Sequence, residues 1–116
     1  MEVDRNYVIK LLKSYKPEKI KLTDKTAYKI ENVHRVKIEE VKKHLSNPED
    51  LESVEEQLAR HEKQRTFQLI FKKSSKKRLV IVITENVDSG MLFIVTAFET
   101  SKKLEKLIKR GRIRRL

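Results

Sequence analysis

The feature of this sequence that most constrains its fold is the concentration of strand-forming residues between Thr66 and Phe98. Three apolar runs, TFQLIFKK, RLVIVIT and MLFIVTAF, are separated by two short polar breaks. Because the breaks contain the Ser, Asn, Asp and Gly residues typical of tight turns, the runs predict consecutive antiparallel strands. We expect one twisted sheet with RLVIVIT in its middle.

The three runs differ in how their apolar residues are spaced. The first alternates, with Phe67, Leu69 and Phe71 on one side, which is typical of a half-buried edge strand. The stretches 79–83 and 92–95 are apolar on both faces, and such strands need cover on both sides. Surface that a few short helices leave uncovered would mark an interface, so we expect a homodimer or an obligate partner.

Helical spacing dominates the chain before the sheet. Apolar residues three and four apart predict a helix from Asp4 to Tyr15, which Pro17 stops. Residues 19–22 alternate and predict a short strand, after which Thr23 and Asp24 provide the N-cap of a second helix. A third helix after Arg35 places three apolar residues on one face, namely Ile38, Val41 and Leu45.

Two further segments complete the expected fold. Residues 48–60 begin like a helix, with Asn47 as cap and Pro48 in the first position, although 52–57 also fits an extended, charged edge. A last amphipathic helix is predicted from Ser101 to Arg110, ended by Gly111. We therefore expect a single α+β domain over residues 1–116, with a three- to four-stranded antiparallel meander packed against N-terminal helices and a C-terminal helix.

The positive charge is concentrated in two places. The chain has a net charge of +11, of which the 72–78 segment carries +5 and residues 101–116 carry +7. This asymmetry is typical of a protein that binds an anionic polymer. The alternative is that lysine-rich turns and tails keep an apolar sheet soluble and block edge pairing. The predicted nucleic-acid contacts are Lys72, Lys73, Lys76, Lys77, Arg78, Arg110, Arg112, Arg114 and Arg115.

Composition argues against several classes of site. The chain has no cysteine, so a disulfide or a thiolate metal site is not available. His61 and Glu62 begin a zinc-protease pattern, but Arg65 stands where its second histidine would be. Two glycines are too few for a phosphate-binding glycine loop, and no apolar run is long enough to span a membrane. We expect no cofactor, no metal, no membrane partner and a cytoplasmic location, and the abundance of Lys and Glu points weakly to a thermophile.

The remaining chemistry belongs to cations around the sheet. His61 and Arg65, just before the first strand, are the candidate catalytic residues. A positioned His or Arg can assist attack of a 2′-hydroxyl on an RNA phosphodiester by proton transfer or charge stabilisation. Phosphate binding needs only clustered cations, whereas cleavage needs a base, an acid and a charge stabiliser that converge.

The order of these elements resembles that of BrnT-like toxins. The segment VHRVKIEEVKKHLSNPEDL resembles their "KHG-I-S-F-E-E" helix start, and EKQRTFQLIF resembles their "E-R-R-aromatic" approach to the first meander strand. KRLVIVIT resembles their central strand, and FIVTAFETSKKLEKL their last strand and closing helix. The resemblance covers roughly residues 20–110 and implies the α+β fold of the RelE-type superfamily. Members of that superfamily include free or ribosome-dependent ribonucleases that antitoxins neutralise.

Within this resemblance some positions match and others depart. His34 matches the family histidine, Arg65 the arginine before the first strand, and 96–97 the Ser-Ala pair. Arg35 replaces the usual glycine, and Phe98 stands where the family has an arginine. The resemblance implies an RNA-binding protein of the toxin type, with endoribonuclease activity that is weak or needs the ribosome, and with RNA, the ribosome or an antitoxin as partners. The alternative is a non-catalytic nucleic-acid-binding or protein-interaction module.

Overall fold

Five strands form one mixed sheet in the computed structural model, which describes residues 4–57, 64–86 and 88–101. The strands are β1 (Ile20–Lys21), β2 (Leu51–Gln57), β3 (Gln64–Lys72), β4 (Lys77–Asn86) and β5 (Met91–Ser101). They lie in the order β1-β5-β4-β3-β2. β2 to β5 pair antiparallel, whereas β1 runs parallel to β5 at the Leu92 and Phe93 positions. RLVIVIT is therefore central, as predicted.

The prediction of a purely antiparallel sheet of three to four strands was wrong. β1 adds a parallel strand, and β2 adds an antiparallel edge strand where a helix over 48–60 was one of the two expectations. Among the described residues of that segment, 48–57, only the Pro48–Asp50 turn is helical, as a single 3₁₀ turn. β2 is extended because its backbone N–H and C=O groups pair with those of β3. Helix propensity reflects only the local sequence and does not include this pairing between strands. β3 is consequently an internal strand and not the predicted edge.

Three α-helices precede β2 in the described chain. They are α1 (Arg5–Ser14), α2 (Asp24–Tyr28) and α3 (Ile38–Ser46). The predicted Thr23 cap is confirmed, since its side chain accepts a hydrogen bond from the Thr26 N–H at 3.1 Å, whereas the predicted Asn47 cap makes no such bond. Asp4, which was not predicted as a cap, accepts one from the Tyr7 N–H at 2.8 Å. α2 continues as a π-helical turn, Lys29–Val33. β5 reaches Ser101, and the rest of the predicted closing helix lies outside the described residues.

The helices bury one face of the sheet. Val8, Leu12, Ile30, Val41 and Leu45 form one cluster with the alternating side chains of β3, and all are at most 1% exposed. Burying one such side chain contributes roughly 1.5–3 kcal/mol. The sheet partners in this cluster are Ile20, Leu51, Phe67, Leu69, Phe71, Leu79, Ile81, Ile83, Leu92, Ile94 and Ala97.

Apolar side chains on the other face of the sheet are also buried. Ile70, Val80 and Phe98 form a second cluster and are 0–4% exposed. Residues 79–83 of β4 are thus buried on both faces, whereas Val95 on β5 is 47% exposed. The second cluster does not provide the exposed apolar surface that motivated the expected dimer, and the dimer stays a prediction. No helix in the described ranges is long and apolar enough to cross a membrane.

Candidate nucleic-acid interface

The loop that joins β3 to β4 is closed by its own hydrogen bonds. The backbone N–H groups of Lys73 and Ser74 both donate to the Lys77 carbonyl at 3.1 Å. The Ser74 hydroxyl oxygen accepts a hydrogen bond from the Lys77 N–H, also at 3.1 Å. Serine bonding of this kind fixes a tight turn, so the lysines in this loop project from a defined backbone.

The Arg78 side chain stabilises this loop through hydrogen bonds to its backbone. Its side chain is buried, and Nη1 donates to the Ser74 carbonyl at 2.7 Å and to the Lys77 carbonyl at 3.0 Å. Its Nε lies 2.5 Å from a carboxylate oxygen of Glu52 on β2. A buried guanidinium is retained where it is paired and hydrogen-bonded, which is its state here. Arg78 was predicted to contact nucleic acid, but its observed contacts are with protein groups that fix the conformation of the loop.

Lys73 is also held by protein groups. Its Nζ lies 3.0 Å from a carboxylate oxygen of Glu40 on α3 and forms a second ion pair with Glu99 on β5. Burial lowers the pKa of Lys73, but the hydrogen bonds and charges of Glu99 and Glu40 outweigh burial and leave the pKa above its ordinary value. Lys73 therefore stays charged and fixes the loop against α3 and β5.

The other three loop cations face solvent. Lys72, Lys76 and Lys77 are exposed, and no carboxylate of the described residues forms an ion pair with them. They lie at the end of β3, in the loop and at the start of β4. Of the five predicted contact residues in this segment, Arg78 is buried and Lys73 is exposed but ion-paired, whereas the other three are exposed without a carboxylate partner among the described residues.

At the opposite end of β3, Arg65 makes several contacts at once. Its Nε and Nη2 donate to the two carboxylate oxygens of Glu56 at 2.9 and 3.2 Å, and its Nη1 donates to the Tyr7 hydroxyl at 2.6 Å. The guanidinium carbon lies 5.3 Å from the ring centroids of both Tyr7 and Phe67. The hydrogen bond with Arg65 lowers the pKa of Glu56 and raises that of Arg65. This predicted catalytic residue is therefore engaged by a carboxylate and a phenol.

Beside Arg65, a tyrosine and a glutamate form a second pair. Glu85 is the cross-strand partner of Arg65, and its carboxylate accepts a hydrogen bond from the Tyr15 hydroxyl at 3.1 Å. Burial, followed by the charge and hydrogen bond of Glu85, raises the pKa of Tyr15 to about 12. Sequence reasoning did not identify Tyr7, Tyr15, Glu56 or Glu85 as site residues. Their proximity depends on strand register and on how α1 crosses the sheet.

The histidines lie in different places. The ring centroid of His34 is 6.0 Å from that of Phe98, so the two positions that the expected resemblance singled out lie next to each other. His44 packs on Phe71 with its ring centroid 5.1 Å away. The described residues contain no cluster of three metal-ligating side chains. The predicted contacts His61, Arg110, Arg112, Arg114 and Arg115 lie outside the described residues.

Comparisons with known proteins leave the resemblance to BrnT-like toxins as a hypothesis based on the quoted motifs. No family model, no curated protein and no solved structure matches the chain.

Proposed function

We propose that the protein binds RNA through the loop between β3 and β4. The observation that carries this proposal is the division of the loop cations: Lys72, Lys76 and Lys77 are exposed, while Arg78 and Lys73 hold the backbone that presents them. A braced loop loses little conformational freedom when its ammonium groups meet phosphates. The net charge of +11 also favours encounter with a polyanion.

The resemblance to BrnT-like toxins favours RNA over DNA and extends the proposal to cleavage. Slow or ribosome-dependent endoribonuclease activity would use Arg65, whose planar fork suits phosphate, with Tyr7, Tyr15 and Glu85 as neighbouring groups able to hold a proton. Antitoxin neutralisation would follow from membership of that superfamily.

A non-catalytic RNA-binding module is the second candidate. Glu56 and Tyr7 engage three nitrogens of Arg65, and Phe98 occupies the position of the family arginine. Without a free charge stabiliser, a bound phosphodiester would be held but not cleaved.

The test is a gel-shift titration of single-stranded RNA over a series of salt concentrations. Replacing Lys72, Lys76 and Lys77 together by Gln should weaken binding and reduce the slope of log affinity against log salt by about 2, at about 0.7 per phosphate contact. The matched control replaces Lys10, Lys13 and Lys16 by Gln. These three lysines are also exposed, and their replacement removes the same total charge. Equal losses in the two triple variants would show that only net charge matters and would reject the loop as the interface.

A further inference from the structure

The ion pair between Arg65 and Glu56 lies at the surface of the sheet. Their side chains are 31% and 37% exposed, and Glu56 belongs to the edge strand β2. Two carboxylate oxygens meet Nε and Nη2 of the guanidinium, which is the same two-pronged arrangement that a phosphate group makes with arginine. Glu56 thus occupies the edge of Arg65 that would receive a phosphate.

The guanidinium is held in place independently of Glu56. Its Nη1 donates to the Tyr7 hydroxyl, and the group lies over the rings of Tyr7 and Phe67. Because Phe67 is fully buried and Tyr7 lies on α1, these contacts remain when the Glu56 side chain swings away. The edge of Arg65 would then be a preformed anion site, which reduces the cost of binding a ligand there.

The Glu56 carboxylate is an exchangeable occupant. Exposed ion pairs favour the paired state by a factor of about five at most, because water screens the charges and both side chains lose freedom. A phosphate carried on an RNA that is already bound elsewhere on the protein competes at a high effective concentration.

We propose that the Nε and Nη2 edge of Arg65 is a second phosphate-binding site, which Glu56 occupies as a competing anion until an RNA phosphate displaces it. The inference rests on the proposed RNA binding and adds to it a regulated site at the far end of β3. Arg65 and Lys72 are seven residues apart on this strand, or about 23 Å at roughly 3.3 Å per residue. Residues seven apart on a regular strand point to opposite faces of the sheet, so the path between the two sites is longer still, and a tetranucleotide, with three internucleotide phosphates, is too short to reach both.

The experiment compares Glu56→Gln with Glu55→Gln, using single-stranded RNAs of about 16 and about 4 nucleotides. Both variants remove one negative charge from β2, but Glu55 is the cross-strand partner of Gln68 and makes no described contact with Arg65. We expect Glu56→Gln to tighten binding of the long RNA by up to about fivefold relative to Glu55→Gln, and to leave the short RNA unaffected beyond the control. Adding Arg65→Gln to Glu56→Gln should abolish the gain.

Two results would overturn the inference: equal effects of the two Glu variants on the long RNA, or a gain that persists without Arg65. Glu56→Asp, which keeps the charge on a shorter side chain, should give a smaller gain and provides a second measurement if Glu56→Gln unfolds. If the protein does not bind RNA through the loop, the result is different: replacing Lys72, Lys76 and Lys77 would leave binding of the short RNA unchanged.

Discussion

The backbone N–H of Val36 donates a hydrogen bond to the carbonyl of Ile30 at 3.0 Å, closing the C-terminal end of the helical segment that begins at Asp24. Between them, Arg35 adopts a φ of 56°, in the left-handed region. Helices commonly end on a residue in this conformation, and that residue is usually glycine because a Cβ is strained there. Arg35 is also the position at which the proposed resemblance to BrnT-like toxins would place a glycine.

Arg35→Gly is expected to raise the free energy of unfolding by about 0.5–1 kcal/mol, because relief of the left-handed strain exceeds the extra entropy of glycine in the unfolded chain. Urea unfolding provides the measurement. Lys16→Gly is the matched control, since Lys16 is exposed and has an ordinary φ of −72°. That control should lose stability, and a loss in both variants would show that the Arg35 conformation costs nothing.

Signals within a few residues of one another predicted much of the fold. Thr23 is a cap that the sequence indicated, and the alternation of Phe67, Leu69 and Phe71 identified the face that the helices bury. The segment after Pro48 satisfied the local rules for a helix start but became β2. Its structure is decided by pairing with β3, which is a contact between strands rather than a local preference.

The candidate interface was predictable as a charge cluster but not in its internal division of roles. Lys72 and Lys73 are neighbours in sequence, yet only Lys73 meets Glu40 and Glu99, which come from separate elements. In the same way the sequence identified Arg65 as a cation, whereas its ion pair with Glu56 depends on the register between β2 and β3. Sequence gives the charge of a side chain, and the fold determines which charges are already paired.

Replacing Arg78 should destabilise the protein and disorganise the basic loop. Arg78→Met leaves the Ser74 and Lys77 carbonyls without this donor and Glu52 without its ion pair, which we expect to lower the free energy of unfolding by about 2 kcal/mol. RNA affinity should fall as well, although Arg78 is buried. Lys77→Met removes an exposed charge beside it and should change stability by less than about 0.5 kcal/mol in urea unfolding. Equal stability losses would argue against Arg78 as a brace.

Stability should decrease on mild acidification because of His44. Burial lowers the pKa of its imidazole below 6.5, with Lys43 and Lys73 acting in the same direction and Glu40 and Asp50 opposing them. The unfolded chain therefore takes up this proton first. The contribution of His44 is complete above about pH 6.5 and is lost as the pH falls through its folded pKa.

His44→Gln should weaken this pH dependence, measured by urea unfolding at about pH 7.5 and about pH 5. His34→Gln serves as the control at another partly exposed histidine. An unchanged pH dependence in His44→Gln would assign the acid sensitivity to other groups.

The Tyr15 hydroxyl of the folded protein should lose its proton at a higher pH than an ordinary tyrosine does. Its pKa of about 12 exceeds the ordinary 10, because burial and Glu85 disfavour the phenolate. Its contribution to stability is therefore present below pH 10 and is lost as the pH rises through about 12. Absorbance titration of tyrosinate should show a late component that Tyr15→Phe removes and Tyr28→Phe, at an exposed position, retains. Loss of that component in Tyr28→Phe would contradict the assignment.

RNA cleavage, where it occurs, should be slow or dependent on the ribosome and should depend more on Arg65 than on His34. Arg65 offers a fixed guanidinium beside Tyr7, whereas the His34 ring packs against Phe98 with 6.0 Å between ring centroids. Losing a charge stabiliser typically costs about 10²- to 10³-fold in rate, so Phe98 at the position of the family arginine predicts low intrinsic turnover.

The measurement is cleavage of free and ribosome-bound RNA by the wild type, Arg65→Ala, Arg65→Lys and His34→Ala, each shown to be folded by urea unfolding. Arg65→Ala should abolish cleavage, and Arg65→Lys should restore little, because a single ammonium cannot replace the fork geometry. His34→Ala should retain most activity, since its ring contact is one of packing. Rapid cleavage of free RNA that survives Arg65→Ala and disappears in His34→Ala would move the catalytic site to the contact between His34 and Phe98.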